Sequence, residues 1–151
     1  MPTLAVNKFA RKDYFIQDTL ESGIKLTGAE VKSVKKGNID MKGSYVSIDN
    51  DLQVWLVGCY IAPYKPAQKQ QENYDPNRKK QLLLHKKQIH HLIGRSKEQG
   101  LTILPLSVYT KGSFIKLELG IGRGKKKQDK RETIKKRQLD REIRATLRQK
   151  R

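Results

Sequence analysis

Cysteine is almost absent from this sequence, and long hydrophobic runs are absent altogether. Cys59 is the one cysteine in 151 residues, so no disulfide can form within the chain. No stretch approaches the roughly 18 apolar residues of a transmembrane helix. The N-terminal segment also lacks the apolar core and small-residue cleavage site of a secretory signal. We therefore expect a protein of the reducing cytoplasm, with no membrane partner.

Acidic residues are scarce relative to basic ones. The chain has 33 lysines and arginines against 15 aspartates and glutamates, a formal net charge of +18. Self-repulsion of this size destabilises a compact chain and indicates a polyanionic partner. Nucleic acid is the commonest such partner, because each neutralised phosphate releases a condensed counterion. Residues 123–151 carry a net +10, which leaves +8 for residues 1–122.

Residues that would support enzymatic chemistry are few and poorly spaced. The histidines are His85, His90 and His91, and none of their separations is the four that places two zinc ligands on one helix face. Cys59 lies in an apolar run, which predicts a buried thiol rather than a nucleophile. No spacing singles out an acid/base pair of carboxylates. The sequence therefore predicts no enzyme, no metal site and no cofactor.

Alternating and continuous apolar runs predict several antiparallel strands. One bent strand or two short ones occupy 13–26, and a hairpin occupies 45–61. Within that hairpin, 54–61 is apolar on both faces, which predicts a central strand covered on both sides. The clearest hairpin pairs 101–109 with 113–121.

Two helices are predicted between these strands. Thr27 and Glu30 have the spacing of a capping box at the start of a short helix over 28–36. Helical spacing of apolar residues predicts a second helix over 86–99. About six antiparallel strands with two or three flanking helices favour a mainly β, OB-type barrel over a sandwich.

The aromatic residues divide between predicted strands and a polar loop over 63–80. Tyr64 and Tyr74 border the loop and are the better candidates for stacking on bases. Residues in predicted strands are expected in the core instead: Tyr45, Trp55, Tyr60 and Tyr109.

Composition changes abruptly after Gly122, which divides the chain into a barrel domain over 1–122 and a basic tail over 123–151. The tail has few apolar residues and is predicted to be disordered when free. Leu139, Ile143 and Leu147 are four apart, so a helix is expected once the positive charge is neutralised. The glycines of 120–124 fail the P-loop pattern. They form either a flexible exit from the last strand or a segment whose backbone approaches an RNA phosphate.

Four stretches of the chain carry a specific pattern: NKFARKDYFI at 7–16, LTGAEVKS at 26–33, KQLLLHK at 80–86 and GKKKQDKR at 124–131. Together and in this order they resemble the SsrA-binding protein family, also called small protein B. The resemblance covers nearly the whole chain. A ribosomal protein or another OB-type translation factor would share its charge, size and tail, but has no reason to combine these motifs.

The resemblance implies an OB-type protein that recognises the tRNA-like domain of tmRNA. It would deliver tmRNA to stalled ribosomes for trans-translation, that is, peptide tagging and ribosome rescue, and we expect it to be a monomer. The implied tmRNA-binding residues are Asn7, Lys8, Ala10, Arg11, Glu30, Lys32, Ser33, Leu84, His85 and Lys86.

The resemblance also implies that the tail enters the mRNA channel near the decoding centre of the small ribosomal subunit and becomes helical there. The implied tail residues are Arg123, Gly124, Lys125, Lys126, Lys127, Asp129, Lys130, Arg131, Lys136 and Arg137. Gln128 stands where some relatives have histidine, so imidazole stacking at that position is not expected.

Overall fold

The computed structural model of the chain describes residues 2–66, 73–125 and 135–144. Nine strands are found within these ranges: β1 Thr3–Val6, β2 Tyr14–Ile24, β3 Ile39–Asp40, β4 Tyr45–Ile48, β5 Val54–Val57, β6 Tyr60–Ile61, β7 Lys80–Leu83, β8 Leu101–Lys111 and β9 Phe114–Gly124. The described helices are α1 Ala10–Asp13, α2 Gly28–Lys35, α3 Lys86–Ser96 and α4 135–144.

Seven strands form one antiparallel sheet in the order β1-β8-β9-β2-β7-β5-β4, and β3 pairs with β6 in a separate two-stranded sheet. The large sheet curls, so that β4 at one end packs against β8 near the other end. Side chains on its inner face form the core together with Val34 of α2 and Leu92 of α3, both completely buried. The predicted mainly β, OB-type fold is confirmed, as a curled sheet that does not close.

The short helix α2 begins as its sequence pattern indicates. The Glu30 backbone N–H donates to Thr27 Oγ1 at 3.2 Å, and the Thr27 N–H donates to Glu30 Oε1 at 2.9 Å. Two of the N–H groups that a helix start leaves without intrahelical partners are thereby satisfied. The predicted capping box is confirmed, and it fixes where the chain leaves β2 for α2.

The prediction of a single central strand over 54–61 is wrong. Gly58 has φ +79°, a left-handed conformation that suits glycine, and it separates β5 from β6. Only alternate residues of β5 are fully buried, so one face of this strand is only partly covered. The alternation of side chains along β4 and β6 also places Tyr45 and Tyr60 on the outer face, with 47% and 41% of their surfaces exposed. Their predicted place in the core is therefore wrong.

The glycine-rich segment near the tail is part of β9 and not a flexible exit. A Cβ atom on Gly122 would lie 2.7 Å from the Phe15 carbonyl oxygen of β2, closer than real Cβ atoms approach. Gly120 is packed as closely against the Leu106 side chain. Pairing with β2 continues through Arg123 to Gly124. The folded sheet therefore extends past the predicted boundary at 122, while the division into two domains stays a prediction.

No helix within the described parts of the chain is long and apolar enough to cross a membrane.

Candidate nucleic-acid interface

Glu30 is a buried carboxylate that is bonded on both oxygens by the protein itself. Its side chain is completely shielded from solvent. Oε1 accepts a hydrogen bond from the Thr27 N–H and is paired with Arg78 Nη2. Oε2 accepts hydrogen bonds from Arg78 Nε and from the Tyr74 hydroxyl, each at 3.1 Å. Glu30 therefore has no free face to offer a ligand.

The electrostatics of this cluster follow from the same contacts. Burial by itself raises the pKa of the Glu30 carboxyl, but hydrogen bonds from Arg78, Thr27 and Tyr74 outweigh it and hold that pKa below its usual value. Burial and the neighbouring Glu30 charge raise the pKa of Tyr74. The Tyr74 hydroxyl oxygen also lies 3.0 Å from the Ile61 carbonyl oxygen, which shares the single hydroxyl proton with Glu30, so the hydroxyl points into the protein. The prediction that Tyr74 stacks on bases is not supported by this orientation.

Lys80 is a second buried charged residue in the same region. Its Nζ donates to the carbonyl oxygens of Cys59 at 2.6 Å and Pro76 at 3.1 Å. Burial lowers the pKa of Lys80. Arg78 and Lys80 thus hold the end of the loop against α2 and the β5–β6 connection. The polar sequence of 63–80 predicts an exposed loop for both residues, and no pattern in it indicates this role.

The exposed side of α2 presents lysines around one tyrosine. The ammonium groups of Lys32 and Lys36 lie 5.5 Å and 5.0 Å from the centroid of the Tyr64 ring. Ser33 is buried and donates to the Ala62 carbonyl at 2.6 Å, which fixes the chain that leads to Tyr64. Of the predicted site residues on α2, only Lys32 faces solvent, whereas Glu30 and Ser33 support the helix from inside.

The N-terminal site residues divide in the same way. Asn7 and Ala10 are buried, whereas Lys8 and Arg11 are exposed. The Asn7 Nδ2 group donates to the Pro105 carbonyl at 2.9 Å and, at the longer distance of 3.4 Å, to the Met41 carbonyl. Asn7 therefore holds the segment that begins α1 against β8, and the side chains of Lys8 and Arg11 extend from this segment into solvent.

A groove joins the end of β7 to the start of β9. Leu84, His85 and Lys116 line a cavity of about 360 Å³. A neighbouring cavity of about 300 Å³ shares Lys116 and extends to Val31 of α2 and to Phe114, which is 68% exposed. The predicted residues Leu84 and His85 are thus brought together with Lys116, which sequence reasoning missed because nothing local marks it.

The start of α3 shapes one wall of this groove. His85 is the N-cap of α3, and its N–H donates to Gln88 Oε1 at 3.0 Å. His85 and Lys86 are both exposed. His91 lies elsewhere on α3, with Nε2 3.5 Å from Asp18 Oδ2. Among the described residues, no cluster of histidine, cysteine or carboxylate groups has the arrangement of a metal site.

The predicted tail residues lie in three different places. Arg123 and Gly124 are in β9, and Lys125 follows directly, with its N–H donating to the Asp13 carbonyl at 2.7 Å. Lys136 and Arg137 are exposed on α4. The remaining predicted tail residues lie outside the described ranges: Lys126, Lys127, Asp129, Lys130 and Arg131.

Cys59 is buried among core residues, and burial raises the pKa of its thiol to about 11. The thiol is therefore protonated at neutral pH, as expected for a structural cysteine.

A curled antiparallel sheet with cations and aromatic rings on its surface is typical of OB-type nucleic-acid-binding proteins.

Comparisons with known proteins show to which family of OB-type proteins the chain belongs. The family model described as "SmpB protein" matches residues 4–149. The SsrA-binding protein of Halothermothrix orenii is 45% identical over 146 residues, which are 97% of this chain and 92% of the relative. The SsrA-binding protein of a Sulfurihydrogenibium species is 51% identical over 140 residues, covering 93% and 90% of the two chains. The chain belongs to the SmpB family.

A solved structure supports the same relationship. One of its chains, described with the words tmRNA-SmpB and the bacterial ribosome, is 38% identical to this chain. The match covers 88% of this chain and 95% of the other, with a TM-score of 0.69. The family resemblance read from the four sequence motifs is confirmed.

Proposed function

We propose that this protein binds the tRNA-like domain of tmRNA and delivers it to stalled bacterial ribosomes for trans-translation. The observation that carries the proposal is family membership over residues 4–149, together with relatives named SsrA-binding protein. A net charge of +18 supplies the electrostatic attraction that any RNA partner requires. The protein acts by binding and not by catalysis, and it works in the cytoplasm as a monomer without a cofactor.

The groove of Leu84, His85 and Lys116 is the part of the surface best suited to structured RNA. Leu84 gives it an apolar wall, and the Lys116 ammonium and His85 lie beside the Glu21 carboxylate. Lys86 follows His85 in the chain and is exposed. Proteins recognise folded RNA mainly through shape and through contacts with phosphates and 2′-hydroxyls, which such a groove can make. Lys32 adds a cation from α2, while Glu30 and Ser33 position that helix without contacting RNA.

The N-terminal residues form a second part of the proposed RNA surface. Lys8 and Arg11 are exposed on either side of the buried Ala10, and Asn7 fixes their position through its bonds to β8. The basic tail after Lys125 is assigned to the mRNA channel of the small subunit, where a helix such as α4 would place Lys136 and Arg137 against phosphate groups.

Binding measured across salt concentrations tests this function. The protein should bind tmRNA more tightly than an unrelated RNA of equal length, and the ratio should persist as salt weakens both complexes. Equal affinities and equal salt slopes for the two RNAs would contradict a specific partner. A peptide-tagging assay on ribosomes stalled without a stop codon should also require the protein.

A further inference from the structure

Phe15 is an aromatic side chain that faces solvent from a strand in the middle of the large sheet. Its surface is 50% exposed, and the alternation along β2 leaves Tyr14 and Ile16 half-buried while Phe15 points outward. Single exposed apolar residues are common and need no explanation by themselves. Phe15 differs from such residues because a cation and a closely held backbone lie next to its ring.

One cation lies against the Phe15 ring, and a second is carried by the neighbouring strand. The Lys125 ammonium is 4.8 Å from the ring centroid and also donates to the Arg11 carbonyl at 3.0 Å. Arg123 is the direct cross-strand partner of Phe15 on β9 and is exposed. Lys125 therefore borders the ring itself, whereas the Arg123 side chain passes beside Gly100 on the other side of β9.

The backbone beneath the ring is held closely. Gly122 allows β9 to approach the Phe15 carbonyl to a distance that any side chain would prevent. The Lys125 N–H donates to the Asp13 carbonyl at 2.7 Å, which extends the connection to the end of α1. A ring on such a fixed support loses little conformational freedom when a ligand stacks on it.

A second aromatic residue with the same surroundings lies at the other end of α1. Phe9 is the N-cap residue of α1 and is 38% exposed. The ammonium groups of Lys42 and Lys12 lie 4.7 Å and 6.0 Å from its ring centroid. Exposed rings with adjoining lysines therefore occur on both sides of one short helix.

We propose that Phe15 is a stacking site for an unpaired RNA base, with Arg123 and Lys125 contacting the flanking phosphates, and that Phe9 with Lys42 forms a second stacking position. The proposal rests on the RNA-binding part of the proposed function. Aromatic rings interleaved with cations are the usual means of holding single-stranded nucleic acid, because every base has a face to stack and every nucleotide carries a charge.

This stacking site is distinct from the groove at Lys116. Lys116 and Arg123 lie seven residues apart on β9, which corresponds to roughly 23 Å along a strand. The two positions are therefore near opposite ends of the same strand. Structured RNA in the groove does not occupy Phe15, which lies beside Arg11 through Lys125. An unpaired segment of tmRNA or of ribosomal RNA can stack there.

The test uses a single-stranded oligouridylate of about ten nucleotides, within the site size of OB-type proteins, and fluorescence anisotropy with the full-length protein. Phe15→Leu keeps an apolar side chain but removes the aromatic face. We expect it to weaken binding about tenfold, because the base loses the aromatic face on which it stacks. Phe15→Tyr should retain the affinity. Tyr45→Leu is the matched control, since Tyr45 is 47% exposed on β4, at the edge of the sheet.

Salt dependence separates stacking from charge. Phe15→Leu should leave the slope of log affinity against log salt unchanged, whereas Lys125→Gln should reduce it by about 0.7, the value for one phosphate of a single strand. Unchanged affinity in Phe15→Leu, an equal loss in Tyr45→Leu, or a changed slope in Phe15→Leu would overturn the proposal. Thermal unfolding of the variants checks that the folded state is retained. Binding of a polyglutamate peptide that depends on Phe15 while RNA binding does not would indicate a protein ligand and also overturn it.

The source of the unpaired base is found by repeating the comparison with tmRNA and with isolated small ribosomal subunits. A loss of affinity in Phe15→Leu for either partner supports the site and identifies its RNA, and no loss for both would overturn it. The proposed function fails separately, if the wild-type protein does not prefer tmRNA over an unrelated RNA. The oligouridylate result stands independently of that outcome.

Discussion

Arg78 holds Glu30 in place from 48 positions away along the chain, with Nε 3.1 Å from Oε2 and Nη2 paired with Oε1. The carboxylate is completely shielded, while about a third of the arginine side chain is exposed. The pair links the first turn of α2 to the end of the loop that precedes β7. We therefore expect Glu30 to act on bound RNA through the position of α2 and not through contact.

Replacing Glu30 by glutamine should destabilise the protein by about 1–3 kcal/mol, because Arg78 loses its counter-charge and part of its hydrogen bonding in a buried cluster. The affinity for tmRNA should fall, while the salt slope should stay unchanged because no phosphate contact is removed. Urea denaturation and salt-dependent binding measure the two effects. Glu98→Gln is the control, since Glu98 is exposed at the end of α3. A reduced salt slope in Glu30→Gln would contradict a purely positioning role.

The stability contributed by Glu30 should depend on pH. Its pKa in the folded protein lies below its usual value because hydrogen bonds to Arg78 and Thr27 outweigh the effect of burial, and the unfolded carboxyl titrates near about 4.3. The contribution is therefore fully present above the unfolded pKa and is lost as the pH falls through the folded pKa. The difference in unfolding free energy between wild type and Glu30→Gln should be constant near neutral pH and shrink below about pH 4. A difference that grew on acidification would contradict this sign.

Lys116 should contribute directly to RNA affinity as a groove cation. Lys116→Gln should weaken tmRNA binding and reduce the salt slope by about 0.9, the value for one phosphate of a duplex. Lys97→Gln, which removes an exposed lysine at the C-cap of α3, provides a charge-matched control. Equal effects of the two substitutions would mean that only net charge matters and would remove the groove from the RNA surface.

Because β9 approaches β2 closely at Gly122, replacing this glycine by alanine should destabilise the protein. Gly122→Ala places a Cβ 2.7 Å from the Phe15 carbonyl oxygen, and overpacking of this kind typically costs about 1–3 kcal/mol. Gly94→Ala in α3 meets nothing within 4 Å and should stabilise the protein by up to about 1 kcal/mol, because glycine is a poor helix former. Urea denaturation measures both variants. Two substitutions with the same sign would contradict the packing at Gly122.

Local signals and distant contacts explain what the sequence could and could not predict. The capping box at Thr27 and Glu30 was predictable because both partners lie within four residues. The outward orientation of Tyr60 was not, because it depends on the left-handed turn at Gly58 and on pairing with β3. The part of the site at Lys116 was likewise hidden, since the groove forms only when β9 and β7 pair with the two edges of β2 at Gly23.

The burial of Lys80 also could not be predicted from its neighbours in the sequence. Lys80 has a charged side chain after a polar loop, which predicts exposure, yet it is completely buried and bonded to two carbonyl groups. The Pro76 carbonyl is four residues away, but the Cys59 carbonyl is 21 residues away, and no pattern near Lys80 indicates that contact. The family motif at 80–86 includes Lys80, but the resemblance assigned its function to Leu84, His85 and Lys86.

Truncation of the tail should now begin after Lys125 and not after Gly122. Arg123 and Gly124 pair with β2, and Lys125 contacts Phe15 and α1, so a deletion from 123 would damage the sheet as well as the tail. Deletion of 126–151 should leave the unfolding free energy of the sheet nearly unchanged and retain most of the affinity for tmRNA. It should abolish peptide tagging on stalled ribosomes, because the basic segment assigned to the mRNA channel is gone. Urea denaturation, binding and tagging assays on the two truncations distinguish these effects, and intact tagging without 126–151 would refute the role proposed for the tail.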